Sequence, residues 1–260
     1  MPSAPEPLPA GKPSPAADAM SGAQQFAQRT ANASARAVVY PESDGEPMAE
    51  TDIHHRTIVD ASSILRTRYA DREDVYVAGD MNVYYVEGNT GIKFSPDVFV
   101  AFGPSREPPR RVWKTWEEGK FADFVLEVAS KGTHGDDEAR KRRLYERLGA
   151  TEYWQHDPTG DYIDPLKGHR LNASGRYERV RLTTTPDGMP CGESKVLGLL
   201  LCLDEGRLRL FDPATGKFLF NHQEEHRGRL EERRGRLEER RGRLAAEAEV
   251  ERLKRQLAHR

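Results

Sequence analysis

The order of helical and strand-like segments predicts a mixed α/β domain. Three observations lead to this prediction: an amphipathic segment begins near Thr51, several short apolar runs are typical of buried strands, and a second helical segment separates two of these runs. Segments that alternate between the helical and the strand periodicity build a sheet covered by helices. We therefore expect a central mixed β-sheet flanked by helices within residues 41–221.

The first helix is predicted where Thr51 and Asp52 offer capping side chains and apolar residues follow at helical spacing. A second helix is predicted in "HGDDEARKRRLYERLGA", where Gly149 marks its end. Strands are predicted in the remaining apolar runs and a hairpin near the end of the domain. These segments are "VYVAGDMNVYYVEG", "IKFSPDVFVAFG", "FADFVLEVASKGT", "TEYWQHDP", "GDYIDPL", "GRYERVRL" and the hairpin around Asp212–Gly216.

Both ends of the chain differ in composition from this domain. Residues 1–40 are rich in Pro, Ala, Ser and Gln, which predicts a disordered tail. Residues 222–260 repeat "RGRLEER" and place Leu230, Leu237 and Leu244 seven residues apart. A coiled coil needs two apolar positions per heptad, and most of this segment offers one. The pattern therefore favours a charged, solvated single helix over an oligomerisation stem.

Composition and charge narrow the classes of function. The formal net charge of -2 argues against a protein that coats nucleic acid, although it leaves room for a local basic face. Cys191 and Cys202 show no metal-ligand spacing and no disulfide framework, so a cytoplasmic, reducing setting is the simplest expectation. No apolar run approaches the roughly 20 residues of a membrane helix. The first residues lack the apolar middle of a secretion signal.

A glutamate interrupts one of the predicted buried strands. "FADFVLEVASKGT", residues 121–133, carries apolar side chains on both faces, yet Glu127 lies in its middle. A buried carboxylate loses much of its solvation energy unless a partner compensates for the loss. The partner is either an Arg or Lys side chain in a structural ion pair or a divalent cation. This strand alone leaves both explanations open.

A second carboxylate precedes another predicted strand. Asp97 stands in "SPDVFVAF", directly before Val98, at the leading end of an apolar run. A Pro-Asp pair is also common in turns, so Asp97 alone decides little. If the two strands are neighbours, however, Asp97 and Glu127 face one another. Such carboxylates repel unless a hard cation with oxygen ligands lies between them. The two residues together favour a Mg²⁺ or Mn²⁺ site.

The predicted second helix offers a lysine to this site. Asp137, Lys141 and Tyr145 are spaced i, i+4, i+8 and therefore share one helix face. A lysine near a metal-bound water orients that water and stabilises charge on a phosphoryl group. The alternative is that Lys141 only pairs with Asp137 at the surface, where such a pair contributes little. The run "ARKRR", residues 139–143, suits either a polyanionic substrate or a solvated face.

The histidines do not match the spacing of a zinc site. His54 and His55 are adjacent rather than four residues apart, and His134, His156 and His169 show no ligand pattern. We expect surface or incidental roles for them. His134 is the exception, because it lies in the predicted loop between Glu127 and the Lys141 helix and therefore close to the candidate site.

The segment "RRVWKTW" places Trp113 and Trp116 among Arg110, Arg111 and Lys114. Interleaved aromatic and basic side chains bind nucleic acid by stacking and charge. The alternative is a loop that packs its two indoles against the domain.

The ordered set of motifs resembles the Uma-two family of restriction endonucleases, which belongs to the PD-(D/E)XK nuclease superfamily. The similarity lies in "SPDVFV", then "FVLEVASKGT", then "DEARKRRLYERLGATEYWQHDP", and extends more loosely over approximately residues 45–220. The family pattern is a Pro-Asp strand, a Glu-Val-x-Ser strand, an Asp-x3-Lys-x3-Tyr helix and a Gly-x-x-Glu-Tyr-Trp turn into a strand that ends in Asp-Pro. The resemblance implies a restriction endonuclease-like fold and Mg²⁺-dependent hydrolysis of DNA.

The resemblance also implies roles for individual residues. Asp97 and Glu127 are the implied metal ligands. The signature lysine of the superfamily stands two residues after the glutamate, and this chain has Ala129 there. The family places its lysine on the following helix, which indicates Lys141 as the catalytic lysine and Lys131 as the second candidate. Glu50, just before the first helix, is expected as a further metal ligand.

Two alternatives come from other classes of function. One is a DNA-binding or regulatory module on a nuclease-like scaffold that no longer cleaves, which the displaced lysine would explain. The other is an interaction protein whose charged C-terminal helix, residues 222–260, recruits a protein partner. The expected partner in the nuclease interpretation is DNA. A homodimer is left open, because cutting both strands often requires two sites.

Overall fold

The computed structural model describes residues 38–42, 51–130 and 136–258. All of these except Val38 and Val39 belong to one unit, Tyr40–Arg260. The predicted disordered tail therefore lies almost entirely outside the described residues. Glu50 and Lys131 lie outside them as well.

Two of the helix boundaries lie where the sequence predicts them. Thr51 caps the first helix, since its hydroxyl accepts a hydrogen bond from the backbone N–H of His54 at 3.4 Å. Gly149, with a φ of 76°, ends the Lys141 helix, and the N–H of Ala150 turns back to the carbonyl of Tyr145. The helices of the described residues are α1 (Asp52–Arg68), α2 (Thr115–Glu118), α3 (Asp136–Arg147) and α4 (His222–Ala258).

A six-stranded mixed sheet forms the centre of the fold. Its strand order is β1-β4-β6-β7-β8-β9, with β6 and β7 parallel and every other neighbouring pair antiparallel. A parallel pair needs a crossover connection, and α3 provides it between β6 and β7. The strands are β1 (Val75–Gly79), β4 (Val98–Phe102), β6 (Phe124–Val128), β7 (Glu152–His156), β8 (Leu166–Leu171) and β9 (Tyr177–Arg179).

Two smaller sheets accompany the central one. An antiparallel five-stranded sheet has the order β10-β11-β12-β13-β14. Its strands are β10 (Thr183–Thr184), β11 (Pro190–Ser194), β12 (Leu199–Asp204), β13 (Arg207–Asp212) and β14 (Lys217–Phe218). A three-stranded sheet has the order β3-β2-β5, with β2 (Val83–Tyr84), β3 (Lys93–Phe94) and β5 (Trp113–Lys114).

The central sheet has a hydrophobic cluster on each face. One cluster joins α1 and the five-stranded sheet to the side chains of Val98, Leu126 and Trp154. The other joins α3 to Phe99, Val125 and Tyr153, the residues that alternate with the first set. Helices on both sides of a mixed sheet confirm the predicted fold class. Because both faces are covered, β4 is apolar throughout and β6 is apolar except for Glu127.

The indole of Trp154 lies between the central sheet and the five-stranded sheet. Its side chain is fully buried. A Cβ atom added to Gly168 would lie 2.6 Å from the indole, and one added to Gly192 would lie 2.5 Å from it. Both distances are shorter than real Cβ contacts, so β8 and β11 approach the ring closely because these positions are glycine.

The expectation that the cysteines form no disulfide framework is wrong. Cys191 of β11 and Cys202 of β12 are directly opposite in the antiparallel ladder, and their sulfur atoms are bonded. Only 11 residues separate them in the chain, and the hairpin brings their Cα atoms to 4.1 Å. The distance between the two cysteines along the sequence does not show that they are opposite each other in a β-ladder.

Two other predicted elements differ in the structure. "IKFSPDVFVAFG" contains two strands, β3 and β4, because Pro96 between them has no N–H to donate to a ladder. "GDYIDPL" is a turn rather than a strand until Leu166, where β8 begins. The turn folds around the carboxylate of Asp157, which accepts hydrogen bonds from the backbone N–H groups that a strand would use.

No helix within the described parts of the chain combines the length and the apolar content needed to cross a bilayer.

Candidate active site

Four polar residues occupy one row across the central sheet. Val98 pairs with Leu126 in the antiparallel ladder, so the same register, continued by one residue, places Asp97 opposite Glu127. Glu127 pairs with Gln155 in the parallel ladder, and Gln155 pairs with Lys167 in the next one. Neighbouring strands lie about 4.8 Å apart, so adjacent members of this row are close. We call Asp97, Glu127, Gln155 and Lys167 the polar row.

The polar row lies on the sheet face that α3 covers. Side chains alternate between the two faces of a strand. Phe99, Val125 and Tyr153 belong to the hydrophobic cluster of α3. Asp97, Glu127 and Gln155 each lie two residues away from one of them along the chain. Asp97, Glu127 and Gln155 therefore lie on the same face as α3.

Two side chains of α3 hold the carboxylate of Glu127. The side chain of Glu127 is 8% exposed and lies 2.8 Å from the ammonium group of Lys141, which is 16% exposed. The hydroxyl of Tyr145 donates a hydrogen bond to the second carboxylate oxygen at 2.5 Å. Lys141 and Tyr145 are one helical turn apart, so both reach the same side of the sheet. The ion-pair partner considered for Glu127 is therefore the same lysine that was predicted to serve the site.

Burial raises the pKa of the Tyr145 hydroxyl well above its usual value, and the negative charge of Glu127 raises it further. The hydroxyl therefore stays protonated across the physiological range. A protonated phenol beside a carboxylate is a fixed donor, so Tyr145 orients Glu127 without competing with it for negative charge.

Contacts from two other elements orient Asp97. Its carboxylate accepts a hydrogen bond from the backbone N–H of Val128 at 2.7 Å. His54 of α1 places its Nε2 atom 3.7 Å from the same carboxylate and 2.8 Å from the carbonyl of Val128. Because the atom that faces a carbonyl must carry the proton, the N–H of His54 points toward both oxygens. Asp97 is thereby tied to β6 and to α1.

The oxygen donors of the row are of the kind that hard divalent cations prefer. Asp97 and Glu127 supply carboxylates, and the amide oxygen Oε1 of Gln155 is buried without a hydrogen-bond partner among the described residues. Each carboxylate oxygen has two acceptor positions, so the bonds from Lys141 and Tyr145 leave further positions on Glu127. Within the described residues no three His, Cys, Asp or Glu side chains are grouped so that they could hold a metal ion together. The donor set fits Mg²⁺ or Mn²⁺ better than zinc.

The structure brings three of the predicted site residues together: Asp97, Glu127 and Lys141. The interpretation of Lys141 as part of a solvated surface pair does not fit its low exposure and its contact with Glu127. Glu50, the expected further ligand, and Lys131, the second candidate lysine, lie outside the described residues. His134 lies outside them too.

The expectation of surface histidines is wrong for three of them. His54, His156 and His169 are all buried. Burial lowers the pKa of His156, whose Nδ1 atom lies 2.8 Å from the carbonyl of Pro165, so this imidazole is neutral and donates to that carbonyl. A signal for His54 was present in the sequence, because it precedes Ile58, Ala61 and Leu65 at helical spacing and so belongs to the buried stripe of α1.

The segment "RRVWKTW" packs against the domain. Trp113 is fully buried, and its indole N–H donates to the carbonyl of Lys120 at 3.0 Å. Arg110 makes two hydrogen bonds to the carboxylate of Glu118 and lies 4.5 Å from the ring of Tyr76. The structure therefore supports the packing alternative for this segment, and Trp113 offers no free ring for a base.

A family model assigns the chain to a family. None of the curated proteins matches it. A solved structure from Anabaena variabilis, described as "a putative nuclease belonging to DUF820", is similar with a TM-score of 0.40 and 11% identity. The similarity covers 58% of this chain and 86% of that one. The family model Uma2, described as "Putative restriction endonuclease", matches residues 23–194, more than half of the chain and the whole of the site described above. The chain therefore belongs to the Uma2 family.

Proposed function

We propose that the chain is a divalent-metal-dependent endonuclease that hydrolyses phosphodiester bonds in DNA. The main support is the arrangement of two carboxylates on neighbouring strands, Asp97 and Glu127, beneath a helix that presents Lys141 to one of them. Membership of the Uma2 family supports nuclease chemistry in general.

Asp97 and Glu127 would hold the cation, Mg²⁺ or Mn²⁺. A bound divalent cation lowers the pKa of a water and neutralises charge on the scissile phosphate. Glu50 remains a prediction as a further ligand.

The residues of the chain itself have distinct tasks in this proposal. Lys141 neutralises Glu127 before substrate binds and positions the attacking water once the phosphate is present. Tyr145 fixes one oxygen of Glu127, and His54 with the N–H of Val128 fixes Asp97. A carboxylate pair held from several sides keeps its separation without rearranging, and preorganised groups of this kind lower the barrier of the chemical step.

The helix that carries Lys141 also carries charge suited to DNA. Arg140 and Arg143 are exposed and lie on the same helix as Lys141, within the run "ARKRR". Guanidinium groups near the site attract the phosphate backbone without selecting a base sequence.

The test is Mg²⁺-dependent nicking of a supercoiled plasmid by the full chain. Asp97→Ala, Glu127→Ala and Lys141→Met should each lower the rate at least about 100-fold, because each removes a group that acts on the reacting phosphate. Asp164→Ala is the matched control, since Asp164 is an exposed acid that pairs with Arg179. It should leave the rate unchanged.

Glu127→Ala leaves the largely buried ammonium group of Lys141 without this carboxylate, which can unfold the domain. Glu127→Gln keeps the shape of the side chain and should be inactive while its circular dichroism and unfolding midpoint stay close to those of the wild type. Cleavage that survives Asp97→Ala or Glu127→Gln, or that is indifferent to EDTA, would contradict the assignment.

One observation favours the non-cleaving alternative: each carboxylate oxygen of Glu127 already has a donor on α3, Lys141 for one and Tyr145 for the other. A scaffold that binds DNA but no longer cuts it has no need of the metal. Binding of the plasmid without Mg²⁺-dependent or Mn²⁺-dependent nicking would identify the chain as such a module.

A further inference from the structure

Gln155 is a buried amide without an evident structural task. Its side chain is 4% exposed, and its oxygen Oε1 accepts no hydrogen bond from any described residue. A buried acceptor without a donor costs free energy, because it has lost its bond to water and gained nothing in return. An apolar residue at this position of a buried strand would avoid that cost. The amide therefore requires an explanation.

The position of Gln155 in the sheet explains why a buried amide stands there. It is the ladder partner of Glu127 on the next parallel strand, and it lies on the face that α3 covers. Asp97, directly before β4, Glu127 on β6 and Gln155 on β7 are consecutive members of the polar row. Each can present an oxygen to the space between the sheet and the helix.

The next member of the row limits where a cation can lie. Lys167 pairs with Gln155 on β8, on the side away from Glu127. Its ammonium group does not donate to Oε1 of Gln155, which has no hydrogen-bond partner. A positive side chain at that end repels a metal ion, so the favourable region lies between Asp97 and Gln155.

We propose that Oε1 of Gln155 is a third protein ligand of the divalent cation held by Asp97 and Glu127. This inference rests on the proposed function, which places the cation there. Amide oxygens are regular ligands of hard cations, and they add a donor without adding negative charge. Two carboxylates and Lys141 give the site a net charge of -1 before the cation binds, and a neutral third ligand leaves that charge unchanged.

The experiment is a calorimetric titration of the full chain with Mn²⁺, which measures affinity rather than activity. Gln155→Leu removes the amide and keeps the volume, and it should raise the Kd for Mn²⁺ about tenfold or more. Gln155→Glu places a carboxylate oxygen at the same position and should bind Mn²⁺ at least as tightly as the wild type.

His156→Asn is the matched control. His156 is the next residue along β7, is equally buried and points to the opposite face. The amide N–H of an asparagine can replace the Nδ1–H that donates to the carbonyl of Pro165. This variant should leave the affinity for Mn²⁺ unchanged.

The outcomes separate the two proposals. Wild-type affinity in Gln155→Leu, or equally weakened binding in Gln155→Leu and Gln155→Glu, overturns the role of Gln155 and leaves the two-carboxylate site intact. A wild-type chain that binds no Mn²⁺ overturns both this inference and the metal dependence of the proposed function. Urea unfolding of each variant shows whether the fold is retained, and Gln155→Leu should be no less stable than the wild type because it removes an unsatisfied polar group.

Discussion

Asp157, which directly follows β7, organises a whole turn with its carboxylate. Its carboxylate accepts five hydrogen bonds: from the N–H and hydroxyl of Thr159 and from the N–H groups of Gly160, Tyr162 and Ile163. Burial alone would raise the pKa of Asp157, but these donors outweigh it and lower the pKa to about 2. The carboxylate is therefore a structural anion that closes the turn between β7 and β8.

Asp157→Asn should lower the free energy of unfolding at pH 7 by about 2 kcal/mol, because the folded pKa lies below the usual value of 3.8. A depressed carboxyl pKa stabilises the fold above the unfolded pKa and loses its effect as the pH falls through the folded one. The wild-type advantage should therefore shrink between about pH 4 and pH 2. Urea unfolding of the wild type and of Asp157→Asn at a series of pH values measures the difference in unfolding free energy.

Asp164→Asn is the control in the same turn, because Asp164 is exposed and its ion-pair partner Arg179 is exposed as well. It should change the unfolding free energy little. Equal losses in the two variants, or a wild-type advantage that persists at pH 2, would contradict the role of Asp157.

The candidate site could be predicted from the sequence only in part. The spacing of Lys141 and Tyr145 indicates a shared helix face, and the position of Glu127 in an apolar strand indicates a compensated charge. The partner that compensates the charge of Glu127 depends on how α3 packs across the sheet. This packing is tertiary structure and cannot be read from the spacing of residues along the chain. Gln155 could not be recognised for the same reason, because its importance lies in its register with Glu127.

Among the elements, β8 and β11 both approach the side chain of Trp154 on β7 closely. Trp154 is rigid and fully buried, and the two strands next to it carry glycine where they meet the ring. A flexible side chain could move aside for an added methyl group, but a fully buried indole cannot.

Gly168→Ala should lower the free energy of unfolding by about 1–3 kcal/mol, because the new Cβ atom would overlap the ring of Trp154. Gly91→Ala is the control, since its added Cβ atom would meet only a side-chain oxygen of Asn89 at 3.4 Å. Urea unfolding compares the two.

Trp154→Phe combined with Gly168→Ala should cost less than the sum of the separate changes, because the smaller ring leaves room for the methyl group. Additive losses would show that the clash is not the cause.

The elements themselves were largely predictable. The capping by Thr51 and the stop at Gly149 are local events, and both are confirmed. The segment "GDYIDPL" resembles a strand because it contains Tyr162, Ile163 and Leu166. Its backbone N–H groups bond to the carboxylate of Asp157 instead of to a neighbouring strand, and the composition does not show this. The disulfide was missed because facing positions in a ladder follow from the register of β11 and β12.

At the scale of the whole molecule, α4 stands apart from the rest of the described chain. It lies beyond the region that the family model matches. Its first turn is tied to the domain, where Asn221 bonds to Asp60 and Glu224 pairs with Arg209. Leu230, Leu237 and Leu244 are half-exposed. These contacts agree with a solvated helix, and the homodimer remains a prediction.

Deletion of residues 230–260 should leave both the nicking rate and the melting temperature of the domain unchanged, because the deleted part of α4 makes few contacts with it. Deletion of residues 222–260 should lower the melting temperature by a few degrees, since it also removes the pair between Glu224 and Arg209. Light scattering of both variants tests the homodimer, and a loss of activity in the shorter deletion would assign α4 to the working enzyme.

The packing of Trp154 has a consequence for how distant parts of the molecule communicate. Cys191 is the neighbour of Gly192, Gly192 touches the indole, and Trp154 is the neighbour of Gln155. A displacement of β11 would therefore reach the strand that carries Gln155 through a single rigid ring.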